Sequence, residues 1–441
     1  MSTHQLHEVF DLTDPGSNVL FNCSIDEARG RVAAGDAEGV GALDGCFALV
    51  GRAGVRIRLA RSLSVPMRTF IVKRTAGPAL IVAHRIADIR TWLEEHGYGD
   101  QFHPSYTRMV PAHHVTEIQL VGCPDPSPTH TRFLTPARDR LPADIDAIGR
   151  AYIGALHTAL TAWIRTVPDG APVGVAFSGG IDSGSVLLTL HQALLDLGES
   201  PARLKAFTLS AGGGDDLAQA RDFLERTGME VFLEPIEAAP GDLDLEEAVR
   251  VVEDYKPLDV QSAAMALALL KGIRRAYPDW RYVIDGDGGD ENLKDYPIED
   301  NPELTIVSVL SNSLLYQEGW GVHAIKHSQT YSGGLSRGAT RGFAPARELG
   351  FVGFSPYMLP ALVDVAEGIP FIELTDWSHE ALYALKGLVV AAGVRQVTGV
   401  EMPIFDKRRF QHGAAPRELT TQRLPDAETP YRRAFAEVFG P

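Results

Sequence analysis

The hexapeptide Ser178-Gly179-Gly180-Ile181-Asp182-Ser183 sits between the apolar run VGVAF (173–177) and the helix-forming stretch GSVLLTLHQALLDL (184–197). A buried strand that turns on two glycines straight into a helix is the start of a crossover, because a parallel neighbour is reached only by a long return connection. The chain then keeps alternating. Strands are predicted at 204–209, 231–236 and 282–285, with helices over 217–227, 245–254 and 261–276. Before the hexapeptide, Ile148, Tyr152, Leu156, Ala159, Trp163 and Val167 recur at helical spacing behind Asp144 as N-cap. The pattern predicts an α/β domain built on a doubly wound parallel sheet covered on both faces. From Thr305 onward it predicts mostly helix and loop.

The same loop carries chemistry. Two glycines let the backbone approach a ligand closely, and the N–H groups at the start of the following helix attract an anion. Ser178 and Ser183 add hydroxyl donors. A carboxylate at Asp182, beside phosphate, is tolerable only with a bridging cation. No lysine follows the second glycine, so this is not a Walker loop, and γ-phosphate chemistry is disfavoured. Near 285, the segment Asp285-Gly286-Asp287-Gly288-Gly289-Asp290-Glu291 packs four acids and three glycines into seven residues. Such carboxylates repel unless solvated or sharing cations. At a strand end they would face Asp182 across the crevice and form, with phosphates, an oxygen-rich Mg²⁺ site.

Composition limits the partners. The formal net charge of −16 disfavours a nucleic-acid partner, which calls for a basic face. No apolar run approaches the ~18 residues of a membrane span, and no charged-then-apolar leader opens the sequence, so cytoplasm is the expected compartment. Cys23, Cys46 and Cys123 lie far apart in no ligand spacing and read as reduced structural thiols. His113 and His114 lack a visible third ligand.

Short apolar runs at 56–59, 69–72, 79–83 and 115–121, separated by turn residues, predict a β-rich first domain with one helix at 86–95. A proline-rich polar stretch follows. The expected division is a first domain over 1–123, a linker over 124–144 and a second domain over 145–441.

The Ser178–Ser183 loop resembles the signature of the PP-loop ATP pyrophosphatases, which cleave ATP between its α and β phosphates. The acidic loop resembles the Ser-Gly-Glu-Gly-Ser-Asp-Glu segment of asparagine synthetases. Pro403–Gly413 keeps that family's late Lys-x-x-Phe-x-x-Gly spacing, with Lys407 also matching a lysine of β-lactam synthetase. Leu43-Asp44-Gly45-Cys46-Phe47-Ala48 is similar to a segment of the family's glutaminase domain. The resemblance implies a degenerate Ntn-hydrolase-like (glutaminase-type) αββα first domain. It implies, for the second, a PP-loop synthetase domain with a helical C-terminal part. It also implies ATP contacts at Ser178, Gly179, Gly180, Asp182, Ser183, Leu209, Ser210 and Gly286, with Mg²⁺ on Asp182 and Asp290. Lys407 would stabilise an oxyanion, and Asp287 would orient or deprotonate an amine, one methylene shorter than the family's Glu. Glu318 stands at about the distance where β-lactam synthetase pairs a Glu with its catalytic Tyr.

A working glutaminase of this type needs an N-terminal Cys, and position 2 is Ser. Glutamine hydrolysis is therefore not expected. The implied enzyme is an AMP-forming carbon–nitrogen ligase acting on a small-molecule carboxylate and an amine, as one molecule or two. By resemblance its setting is natural-product (antibiotic) biosynthesis. Ring closure of the β-lactam synthetase kind, ammonia- or amine-dependent intermolecular coupling, and peptide macrolactam formation all stay open, as does a homodimer. A PP-loop RNA-modifying enzyme and a non-catalytic scaffold are the readings from other classes. The glycine-rich segment 328–342 is either a cover for the site or a loose surface loop.

Overall fold

The computed structural model describes residues 8–119, 128–300, 304–318, 339–405 and 413–440. The chain divides into two compact units. One is formed by Met1–Thr135, Glu318–Ala339 and Phe435–Pro441, the other by Pro136–Gln317 and Thr340–Ala434. The later chain thus returns to the first unit twice, which a linear reading of the sequence cannot show.

The first unit holds strands β1 (Glu8–Asp11), β2 (Val19–Leu20), β3 (Gly45–Cys46), β4 (Ala48–Ala53), β5 (Arg56–Arg61), β6 (Arg68–Val72), β7 (Ala79–Ala83), β8 (Arg108–Met109), β9 (His114–Gln119) and β10 (Thr129–Arg132). They make two four-stranded sheets, ordered β1-β7-β6-β8 and β10-β9-β5-β4, and a short β2–β3 pair. Helix α1 (Ile25–Ala34) starts on a capping box between Ser24 and Glu27. Its Ala28 and Val32 join Phe47, Leu49, Ala60 and Val115 in one core cluster. Helix α2 (Ile86–Glu95) has the predicted bounds and buries Ile86, Ile89, Trp92 and Leu93. Strand β10 lies inside the stretch read from sequence as linker and pairs antiparallel with β9. It is an edge strand of sequence THTR with three of its residues exposed, so it carries no apolar alternation to betray it.

The second unit is built on a five-stranded, wholly parallel sheet of β11 (Val173–Ala176), β12 (Leu204–Ser210), β13 (Leu233–Glu237), β14 (Tyr282–Ile284) and β15 (Val352–Phe354), in the order β13-β12-β11-β14-β15. Helices α3 (Ile145–Ile164), α4 (Ile181–Asp196), α5 (Asp216–Thr227), α6 (Leu245–Val252) and α7 (Pro257–Ala276) fall where alternation predicts them, within a few residues. β15 is the correction to the helix-and-loop reading after Thr305. Three residues, one of them glycine, are too short to show a period, and the strand exists because β14 offers it a free edge.

One later helix, α8 (His379–Thr398), packs on α3. The crossing is tight. A Cβ on Gly149 would lie 2.6 Å from the Val389 carbonyl oxygen, and one on Gly393 would lie 2.2 Å from that of Gly149. Small residues at this point let the two backbones touch and fix where α8 presents its side chains. Among the described residues, no helix is long and apolar enough to cross a membrane.

Candidate active site

β11 and β14 are adjacent parallel strands, so the loops that follow them emerge side by side at the carboxyl end of the sheet. After β11 the chain turns through Ser178–Gly180 into α4. Gly179 has φ 73°, and a Cβ there would come within 2.9 Å of the Ala220 amide nitrogen, so glycine is required on both counts. Gly180 is the N-cap and offers no capping side chain, which leaves the start of a 16-residue helix facing the loop. The Ser178 and Ser183 hydroxyls are 3.3 Å apart, and Ser178 Oγ accepts the Gly180 N–H at 3.3 Å. These long contacts hold the hydroxyls near the loop without consuming them strongly.

After β14 the chain runs through Gly286–Gly288 into a single helical turn, Gly289–Asn292. This loop lies against Asp182. A Cβ on Gly286 would be 2.8 Å from Asp182 Cβ, and one on Gly289 would be 2.2 Å from Asp182 Oδ1. The two loops singled out in the sequence therefore interlock at one carboxylate. What joins them is a residue the sequence reading missed. Lys386, on α8, donates from Nζ to Asp182 Oδ2 at 2.6 Å and to Asp290 Oδ1, with Asp295 Oδ2 at 3.5 Å. Its side chain is 3% exposed. Burial alone would lower the ammonium's pKa, but Asp182, Asp290 and Asp295 outweigh it and hold Lys386 charged, well above its ordinary range. The available signal was a lone lysine in an otherwise uncharged run, 381–394.

Beneath the acidic turn, Asn292 Nδ2 donates to the Tyr357 carbonyl at 2.8 Å and to Tyr152 Oη at 3.2 Å. The Tyr357 hydroxyl is 2.7 Å from Ser185 Oγ on α4, so one buried network braces both loops. Asp285 accepts the Asp287 N–H at 3.0 Å. Burial pushes the Asp285 carboxyl up to about 6, against hydrogen bonds from Ser355 and Asp287 and the charge of Arg341. Asp287 is raised well above its usual range by burial and then by Asp285, with Arg341 opposing and Glu291 and Asp290 adding. A carboxylate so raised is a stronger base than an ordinary surface acid.

Leu209 and Ser210 end β12, next to β11, and are buried. Just beyond them the Ala211 N–H donates to the Ala414 carbonyl at 2.9 Å. A Cβ on Gly413 would lie 1.8 Å from Asp216 Oδ1, which explains the glycine that closes the Lys-x-x-Phe-x-x-Gly spacing. Lys407 itself lies outside the described residues, as does most of the glycine-rich segment 328–342.

Glu318 falls in the first unit. Its carboxylate takes the His113 Nδ1–H at 2.8 Å and two guanidinium bonds from Arg132, both at 2.8 Å. Burial would raise it, but the hydrogen bonds from His113 and Arg132 prevail and hold it at about 2. Burial lowers the His113 pKa, against the hydrogen bond and charge of Glu318. A carboxylate at about 2 is a weak base, so Glu318 has the character of a clamped structural anion.

Among the described residues no three His, Cys, Asp or Glu side chains form a ready-made metal cage. No curated protein matches the chain. Residues 161–333, which contain both loops, match the family model described as Asparagine synthase. Over these residues the chain is similar to asparagine synthetases.

Proposed function

We propose that this protein is an ATP-dependent, AMP-forming ligase that joins a small-molecule carboxylate to an amine without hydrolysing glutamine. The observation that carries the reading is the meeting of Asp182 and Asp290, from loops at the ends of adjacent parallel strands, on one buried ammonium within an Asparagine synthase match. Asparagine synthetase-like domains form amide bonds at the expense of ATP.

ATP would lie with its phosphates on the Ser178–Ser183 turn, held by the N–H groups that open α4 and by the two serine hydroxyls. The substrate carboxylate attacks the α-phosphorus and pyrophosphate leaves, giving an acyl-adenylate. An amine then attacks the acyl carbon and AMP leaves. The amine's proton passes to Asp287, whose raised basicity suits it for the task. Lys407, assigned by resemblance, would stabilise the developing oxyanion. The carboxylates of Asp182 and Asp290 fit Mg²⁺, a hard cation that takes one or two carboxylates together with phosphate oxygens rather than a complete protein cage. Held there, it would neutralise phosphate charge. Positioning the amine against a bound adenylate would supply much of the rate.

Two features support leaving glutamine out. Cys46 is internal to β3 and buried, and Cys23 is likewise internal, so neither thiol has the free α-amine that a glutaminase of this kind uses as its base. The amine would then come from the substrate itself, as in β-lactam synthetase, or from a second small molecule.

Pyrophosphate release from ATP with a panel of amino-acid-derived carboxylates tests the reading. Asp182→Asn and Asp290→Asn should each abolish that release. ADP and phosphate as products, or wild-type rates in both variants, would overturn it.

A further inference from the structure

The reading above places a divalent cation on Asp182 and Asp290, yet the structure shows those carboxylates already sharing a cation of the protein's own. Lys386 Nζ is 2.6 Å from Asp182 Oδ2, bonds Asp290 Oδ1 and lies 3.5 Å from Asp295 Oδ2. Its side chain is 3% exposed, so water does not screen it. Mg²⁺ binds carboxylate oxygen at about 2.0–2.1 Å. An ion reaching the same oxygens would sit within van der Waals distance of the ammonium, and two cations do not share a carboxylate pair at that range without an added anion. Gly149 and Gly393 hold α8 in backbone contact with α3, which fixes the position of the helix that carries Lys386. Any relief must come from the Lys386 side chain turning to a new anionic partner.

Resting on the proposed nucleotide site, we propose that Lys386 is the resident counter-ion of the Asp182–Asp290 pair. It keeps the two loops drawn together when nucleotide is absent and admits divalent metal only with nucleotide, whose phosphates receive the ammonium. Lys386 is thus a positioning residue that makes metal binding depend on ATP.

The test is Mn²⁺ binding followed by electron paramagnetic resonance, with and without α,β-methylene-ATP. Wild-type protein should take up Mn²⁺ at this site only with the analogue present. Lys386→Met should bind Mn²⁺ without nucleotide at least tenfold more tightly than wild type, and adding Asp290→Asn to that variant should remove the gained site. Tight Mn²⁺ binding by nucleotide-free wild type, or no gain in Lys386→Met, overturns the proposal. The wild-type arm decides even where the variant does not fold. Failure of the ligase reading would show separately, as absent pyrophosphate release alongside an unchanged Mn²⁺ result.

Discussion

Gly289→Ala tests the interlocked loops most directly. Gly289 opens a helical turn and is not among the residues with positive φ, so alanine is conformationally acceptable there. On helix propensity alone, the substitution should stabilise the protein by about 1 kcal/mol. Sterically it should not be neutral, because the new methyl would lie 2.2 Å from Asp182 Oδ1 and 2.5 Å from its Cγ. Ordinary carbon–oxygen contact needs roughly 1 Å more, so either the Asp182 carboxylate rotates off its place or the acidic turn backs away. A displacement of about 1 Å at a positioned group commonly costs on the order of 10²-fold in rate. That corresponds to about 2.7 kcal/mol of transition-state stabilisation. Steady-state pyrophosphate release and a thermal melt on the same preparation read both effects. The expected result is turnover lowered about 100-fold with a folded protein whose melting temperature has not risen. Wild-type turnover together with a raised melting temperature would show that Asp182 is not held against this loop, or that its position is immaterial to the reaction.

Three further outcomes are expected. Asp254 is 2% exposed, and burial, helped by Asp259, raises its carboxyl from 3.8 to about 6. A raised acid favours the fold below its unfolded pKa, and that benefit disappears as pH climbs through 6. Asp254→Asn, which keeps an acceptor for the Tyr255 and Lys256 N–H groups, should therefore gain up to about 3 kcal/mol at pH 7.5 and flatten the pH profile of urea unfolding; an unchanged profile would refute this. Arg132→Met removes both guanidinium bonds to Glu318, leaving it His113 and the charge of nearby Arg61, and should cost about 2–3 kcal/mol, less than for a fully buried pair because the Arg132 side chain is 28% exposed. Glu318 is depressed from 4.5 to about 2, so this loss should shrink as pH falls below about 4, and a pH-independent loss in denaturation would count against the clamp. Lys407→Met should lower pyrophosphate-coupled amide formation on the order of 10²-fold with the melting temperature unchanged, and unaltered kinetics would refute a part for Lys407 in the reaction.

The parts of the second unit nearest the chemistry were the easiest to read from sequence. A glycine pair or an acid-rich turn states its own backbone needs within six or seven residues, and Gly179, Gly286 and Gly289 turn out to be required by contacts around them. The helices α2 to α7 announced themselves through apolar periodicity. What stayed hidden depended on long-range partners. β10 is polar because it lies at an edge, and β15 is a strand only because β14 is beside it. Lys386 lies more than two hundred residues from Asp182 in sequence, and its place in an uncharged helical run hints at burial without naming the carboxylates it meets. Glu318 stands at a plausible spacing from the acidic turn, but spacing along the chain does not say which unit an acid joins.

The backbone contact between Gly149 and Gly393 has a mechanical consequence. Gly393 is seven residues from Lys386 on α8, or about 10 Å along the axis at 1.5 Å per residue. With that crossing as fulcrum, a tilt of roughly 6° would carry the lysine about 1 Å sideways. Two missing methyl groups, remote from any reacting atom, thus set the aim of the charge at the centre of the site, and a single alanine there would act as a wedge under a lever.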